Sequence, residues 1–199
     1  MTTQNVRRYA PKRQPPANFT FQRLNSREKL GVWAALVGDG TLIGPFFFDG
    51  NLNGNGYLRM LRTDILPIIA QKFGQHANGA IRQAWWAQDG APCHRSNAVR
   101  RELQTRFHQR VVALGHPREW PANSPDLTPM DFFVWGFVKN NVYKTPPADM
   151  NDLRRRITAE FATLTRGQRM IRRSFDDMTR RANVCIRRGG LHVEGRDAH

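Results

Sequence analysis

Two apolar runs separated by a Gly-Asp-Gly turn constrain the fold of this chain more than any other feature. They lie in residues 30–48, LGVWAALV-GDG-TLIGPFFF, and this arrangement is typical of a β-hairpin. Because both runs are almost continuously apolar, we expect the sheet to be covered on both faces. Further elements must therefore pack against this hairpin.

The rest of the chain alternates between helical periodicity and short apolar runs. The predicted order is a helix at 57–73 with a kink near Pro67, a strand at 84–88, a helix from Arg95, a strand at 110–114, a loop at 115–129, a helix just after Pro129, and two C-terminal helices that end at Gly189-Gly190. Such an alternation predicts an α/β fold. We divide the chain into a basic arm at 1–29, a core at 30–148 and an Arg-rich helical extension at 149–199.

Charge is the most informative feature of the composition. The 199 residues include 31 Lys and Arg against 16 Asp and Glu, a formal net charge of +15. An excess of this size favours a polyanionic partner, above all nucleic acid, although a simply basic soluble protein has the same composition. No stretch is apolar enough to span a membrane, and the two cysteines fit a reducing compartment.

Two acidic residues occupy positions that suit metal-ion chemistry. Asp89 ends the apolar strand in WWAQDGAPCH, and Asp131 opens a helix in SPDLTPMDFF. If the two carboxylates converge, they supply the oxygen ligands that Mg²⁺ or Mn²⁺ prefers. The alternative is that one is an ordinary turn residue and the other an ordinary helix cap.

The segments around these acids resemble the mariner-like transposases, which belong to the DDE/DDD superfamily and have a ribonuclease H-like fold. The resemblance rests on QDGAPCH, on WPANSPDLTPMDFFVWGFVKNNVY, on the hairpin, on the helix that begins YLRML and on VYKTPPADMNDLRRRI. The resemblance covers nearly all of residues 29–165. The second catalytic acid of the family corresponds to Asp89 and the third to Asp131; their separation of 42 positions is longer than in many members.

The resemblance implies a ribonuclease H-like mixed sheet flanked by helices, and a parent activity of DNA strand cleavage and joining with Mg²⁺ or Mn²⁺ held by Asp89 and Asp131. It also implies double-stranded DNA as partner, a homodimer and a nuclear location. The side chains expected to contact DNA are Arg7, Arg8, Lys12, Arg13, His94, Arg95 and Lys139. Two alternatives stay open: the basic arm is only a solvated leader, and His94 satisfies local backbone groups at a helix start.

The chain departs from the family at the first catalytic acid. In the family this Asp lies in an Asp-Glu pair on the central first strand, upstream of the hairpin. Here Glu28 is the only acid before Asp39, so we expect that strand to be missing. Substitution by Asp39 or Asp49 is disfavoured, because an acid at a turn or on an outer strand lies too far from the other two.

With two of the three catalytic acids present, we expect a transposase catalytic-domain fragment that is inactive in strand cleavage but still binds nucleic acid. Two alternatives are a domesticated, non-enzymatic DNA-binding protein and a metal-dependent nuclease with a rearranged acid. Asp126 is interpreted as a structural residue of the SPDL loop. Trp85 and Trp86 are interpreted as core residues, and base stacking is the less favoured alternative.

Overall fold

A computed structural model of the chain describes residues 29–193 and has an α/β structure with more helix than strand. The described residues form two compact units. The first unit joins the residues up to Gly50 to those from Ser124 onward, and the second is Asn51–Asn123. The predicted α/β class is confirmed.

The hairpin predicted at 30–48 is present in the first unit. Strand β1 (Leu30–Leu36) pairs antiparallel with β2 (Leu42–Asp49), with a register irregularity between Trp33 and Ala35. Gly40 turns the chain at a φ of +95°, a conformation that other residues rarely adopt. Most hairpin residues are only partly buried, so its faces are less completely covered than their apolar sequence predicts.

Helices pack on this hairpin to form the core of the first unit. After a π-helical turn at Met130–Val134 come α4 (Trp135–Val142), α5 (Met150–Arg166) and α6 (Gln168–Arg187). The Asp149 side chain caps α5 by accepting a hydrogen bond from the Asp152 N–H at 2.7 Å. The helices α5 and α6, which the sequence suggested as a separate extension, share one core with the hairpin and α4.

Phe161 of α5 is central to this core. Its side chain is 1% exposed, and its ring lies 6.2 Å from that of Trp135. We expect Phe161→Ala to lower the free energy of unfolding by about 3–5 kcal/mol, because it removes buried apolar surface and leaves a cavity. Urea unfolding checks this against Thr158→Ala, an exposed position on the same helix that should change stability by at most about 0.5 kcal/mol. Equal losses in the two variants would contradict the assignment of Phe161 to the core.

The second unit contains the remaining helices and strands. A continuous helical segment consists of α1 (Gly54–Met60), a π-helical turn at Leu61–Ile65 and α2 (Leu66–Phe73). Strand β3 (Trp86–Ala87) pairs in parallel with β4 (Val111–Val112), so both predicted strands are present but shorter than expected. Between them lie a 3₁₀ turn at Pro92–Arg95 and α3 (Asn97–Phe107), which the Ser96 hydroxyl caps at the Val99 N–H. Among all helices of residues 29–193, none is long and apolar enough to cross a membrane.

Candidate functional site

Asp89 follows β3 at its carboxyl end, as the sequence predicts, and the residues before it are held firmly. Trp86 is buried against Phe107, with 5.4 Å between the ring centroids. The Gln88 side-chain oxygen accepts hydrogen bonds from the Trp86 indole N–H at 3.1 Å and from the Tyr57 hydroxyl at 3.0 Å. Because Tyr57 is itself buried on α1, these contacts fix where the chain turns outward at Asp89.

The Asp89 carboxylate forms an ion pair with His94 in the 3₁₀ turn. His94 Nδ1 lies 2.8 Å from Asp89 Oδ1 and 3.1 Å from the Asp89 carbonyl oxygen, and the same Oδ1 accepts a hydrogen bond from the Ala91 N–H at 3.0 Å. The hydrogen bond to His94 lowers the pKa of Asp89. Although burial opposes the charged imidazole, the hydrogen bond to Asp89 helps to raise the pKa of His94 to about 9. This contact agrees with the local role for His94 that the sequence left open.

The His94 pKa leads to a pH prediction. A histidine whose pKa is raised stabilises the fold fully below its ordinary value of 6.5, and this contribution is lost as pH rises through about 9. We expect the His94 ring signals in NMR spectra to titrate near pH 9, and Asp89→Asn to move that midpoint back toward 6.5. Asp64→Asn, at an exposed acid of the same unit, is the matched control. A midpoint that does not respond to Asp89→Asn would contradict the pair.

Asp131 lies in the first turn of the helical segment that begins at Met130, as predicted. Its N–H donates to the Thr128 carbonyl at 2.9 Å, and its side chain is exposed. The preceding loop is anchored by Asp126, which is buried and accepts a hydrogen bond from the Val193 N–H at 2.6 Å. This contact supports the structural interpretation of Asp126.

The two candidate metal ligands belong to different units, Asp89 to the second and Asp131 to the first. Their convergence on one ion therefore stays a prediction. Within residues 29–193 no three His, Cys, Asp or Glu side chains form a group that could hold a metal ion. Both carboxylates have the oxygen donors that Mg²⁺ and Mn²⁺ accept, but a pair of carboxylates is a smaller ligand set than a two-metal clamp uses.

Both alternative acids considered from the sequence have structural partners. Asp39 Oδ1 accepts a hydrogen bond from the Thr41 N–H at 2.9 Å within the hairpin turn. Asp49, at the end of β2, forms an ion pair with Arg154 at 2.8 Å. These contacts give Asp39 and Asp49 structural roles that do not require a metal ion.

The predicted DNA contacts differ in their surroundings. Arg95 is exposed, and its Nε donates to the Gly90 carbonyl at 2.6 Å, next to Asp89. Lys139 is partly buried in the last turn of α4. The four positions in the basic arm lie outside the described residues: Arg7, Arg8, Lys12 and Arg13.

Several arginines of the Arg-rich C-terminal helices make contacts within the first unit. Arg181 is the clearest case: it pairs with Asp177 at 2.7 Å, donates to the Asp126 carbonyl, and has its guanidinium carbon 4.2 Å from the centre of the Phe132 ring. Arg156 donates to the backbone after α4, and Arg172 donates to the Asp39 carbonyl at 2.6 Å. These side chains hold the first unit together, so the net charge overstates the basic surface.

A smaller basic surface remains on α6, and we call it the α6 stripe. Its members recur at spacings of four and seven residues and so share one helix face: Arg169, Arg173, Arg180 and Arg187. Arg180 pairs with Asp177 at 2.7 Å, and Asp176 also falls on this face. The other three are exposed and form no ion pair within the described part of the chain. None of these four arginines is among the DNA contacts predicted from the sequence, although their spacing along a helix is a signal that the sequence contains.

The interpretation of Trp85 as a core residue is wrong. Trp85 is 56% exposed, whereas Trp86 is 6% exposed, because successive side chains of an extended segment point to opposite sides. The Arg118 guanidinium carbon lies 5.0 Å from the centre of the Trp85 ring. An exposed indole beside an arginine suits base stacking, the alternative that the sequence left open.

Comparison with known proteins adds no family assignment: no protein-family model and no curated protein matches the sequence.

Proposed function

We propose that this chain is a DNA-binding, catalytic-domain fragment of the mariner-like transposase type, with a ribonuclease H-like fold and two acids that serve one metal centre. The observation that carries the proposal is the position of Asp89, two residues after the end of β3, which pairs in parallel with β4. Ligands of α/β sheets commonly bind outside the carboxyl ends of such strands. Asp131 lies in the first turn of the helical segment after the SPDL loop. In mariner-like transposases the third catalytic acid follows the same loop.

The sheet arrangement is compatible with this proposal. Residues 29–193 contain one antiparallel pair, β1 and β2, and one parallel pair, β3 and β4. In the family the strand that carries the first catalytic Asp lies between the hairpin and the strand that precedes the second acid. A ribonuclease H-like mixed sheet contains both kinds of pairing.

Mg²⁺ or Mn²⁺ would be held by the carboxylates of Asp89 and Asp131. The bound ion would activate a water or a 3′-hydroxyl and stabilise the leaving oxygen of a phosphodiester. Gln88, fixed by Tyr57 and Trp86, keeps Asp89 at the end of β3, and His94 holds Asp89 Oδ1. A third carboxylate is needed to bridge two ions, so we propose that the two-acid site does not cleave DNA by itself.

The α6 stripe favours a second candidate, a non-enzymatic DNA-binding protein built on the same scaffold. Three unpaired arginines on one helix face can neutralise backbone phosphates without any metal ion. Both candidates bind double-stranded DNA and would act in the nucleus. The two candidates differ in whether Asp89 and Asp131 bind the same metal ion. The third possibility considered from the sequence, a metal-dependent nuclease with a rearranged acid, would differ from both because it would cut DNA.

Paramagnetic Mn²⁺ distinguishes these candidates, because it broadens the NMR signals of nearby nuclei. We expect substoichiometric Mn²⁺ to broaden amide signals flanking Asp89 and Asp131 over the same concentration range. Asp89→Asn should remove the broadening at both places, since each acid contributes ligands to one ion. Asp64→Asn, elsewhere on the second unit, is the matched control. Broadening near Asp131 that persists in Asp89→Asn would overturn the shared site and leave the non-enzymatic candidate.

A further inference from the structure

A surface pocket of about 300 Å³ lies between α3 and the turn that follows β4. Four residues of α3 line it at spacings of three and four residues, which places them on one helix face: Asn97, Arg100, Arg101 and Gln104. Residues 115–117 complete the lining. Its volume is at the lower end of the range of about 300–1,000 Å³ for ligand pockets, which favours a small ligand.

Two residues that line this pocket each have a buried nitrogen atom with no hydrogen-bond partner among residues 29–193. These atoms are Nε of Arg100 and Nε2 of His116, and His116 is 7% exposed as a whole. Leaving a buried polar atom unsatisfied costs about 1–3 kcal/mol, so such atoms call for an explanation. A ligand that accepts hydrogen bonds in the pocket would supply one.

The backbone brings Arg100 close to His116. The Arg100 guanidinium donates to the Gly115 carbonyl through Nη2, which leaves Nε uncommitted. Gly115 has a φ of +76°, and a Cβ at this position would lie 2.7 Å from the Arg100 guanidinium carbon. Glycine is therefore needed here both for the backbone conformation and for the close approach of the guanidinium.

We propose that this pocket binds a phosphate group through Arg100, Arg101 and His116. Two arginines line it, and none of the described residues that line it is acidic. The Glu119 carboxylate accepts a hydrogen bond from the Gly115 N–H at 3.0 Å on the same turn. Arginine donates two parallel hydrogen bonds to phosphate oxygens, and an imidazole N–H adds a further donor. The site uses neither Asp89 nor Asp131, so it stands or fails independently of the proposed metal centre.

The protonation state of His116 fits a ligand that is an anion. Burial, with the positive charge of Arg100 beside it, lowers the pKa of His116 below its ordinary 6.5. The ring is therefore neutral near pH 7. A bound phosphate would favour the charged imidazole and raise this pKa.

Titration with inorganic phosphate tests the proposal, with the His116 ring signals as the NMR readout. We expect a saturable shift and a His116 pKa that rises with phosphate. Arg101→Ala should weaken the apparent affinity about 10-fold or more, because it removes hydrogen bonds to a charged group. Arg101 is exposed and can be replaced without disturbing the core, and Arg82→Ala removes the same charge elsewhere on this unit. His116→Phe, which keeps a ring but no nitrogen, should also lose binding.

An absence of saturable shifts, or equal weakening in Arg101→Ala and Arg82→Ala, would overturn the proposal. Competition by oligonucleotides then identifies the source of the phosphate group. Displacement by a 5′-phosphorylated strand alone would assign a terminal phosphate, and equal displacement by the unphosphorylated strand would assign the backbone. If neither strand competes with bound phosphate, the pocket binds a free phosphate and is no part of a nucleic-acid surface.

Discussion

In the presence of Mg²⁺ or Mn²⁺, the purified chain is expected to leave supercoiled plasmid and duplex DNA uncut above the rate of a protein-free control. The reason is the number of ligands: a two-metal clamp needs carboxylates that bridge both ions, and Asp89 and Asp131 are only two. Electrostatic repulsion of DNA is not the limit, because the chain carries a formal net charge of +15.

One particular result of this assay would contradict the prediction that the chain does not cut DNA. Metal-dependent cleavage that both Asp89→Ala and Asp131→Ala abolish would mean that another acid completes the site. Asp39 and Asp49 would then be tested, followed by an acid from a second chain. Cleavage that survives both substitutions would instead indicate an unrelated active site or a contaminant.

The affinity for double-stranded DNA is expected to fall about 50-fold between roughly 50 and 200 mM salt, and to differ little between unrelated sequences. Each phosphate contact contributes about −0.9 to the slope of log affinity against log salt, so the three unpaired arginines of the α6 stripe account for a slope of about −3. Phosphate contacts carry no direct sequence information, so the affinity should depend on salt far more than on sequence.

Variants of the α6 stripe make this second prediction residue-specific. Replacing Arg169, Arg173 and Arg187 together by Ala should reduce the slope by about 3, and Arg173→Ala alone by about 1. Arg82→Ala, which removes one charge from the second unit, should leave the slope nearly unchanged. Fluorescence anisotropy at several salt concentrations measures both quantities. A salt-independent affinity, or equal effects of Arg173→Ala and Arg82→Ala, would contradict a DNA surface on α6.

Local periodicity accounts for the elements that the sequence predicts well. The Gly-Asp-Gly turn marks the hairpin, the apolar spacing marks α3 and α5, and Asp89 follows a short strand as its position in WWAQDG indicates. The strands β3 and β4 are shorter than predicted, because only two residues of each form the parallel pairing. Periodicity locates a strand but does not state how many of its residues find partners.

Contacts between distant segments could not be predicted in the same way. Arg181 looks like a surface charge until Asp126 and Phe132 are known to lie beside it. The sequence places His94 five positions after Asp89, yet the ion pair depends on the 3₁₀ turn that brings the ring back to the carboxylate. The phosphate pocket needs α3 and the turn at Gly115 to meet, and each is unremarkable when read alone.

The most direct test of the shared metal centre adds the strand that, in mariner-like transposases, precedes the hairpin and carries the first catalytic acid. The chain is extended at its N-terminus by a β-strand bearing an Asp-Glu pair, and nicking of labelled duplex DNA is followed with Mn²⁺. If Asp89 and Asp131 share a metal centre as proposed, a third carboxylate would complete the ligand set. We therefore predict metal-dependent nicking that Asp89→Asn and Asp131→Asn each abolish, while Asp64→Asn does not. A well-folded extended chain that remains inactive, or that nicks DNA equally well without Asp89 or Asp131, would contradict a shared metal centre.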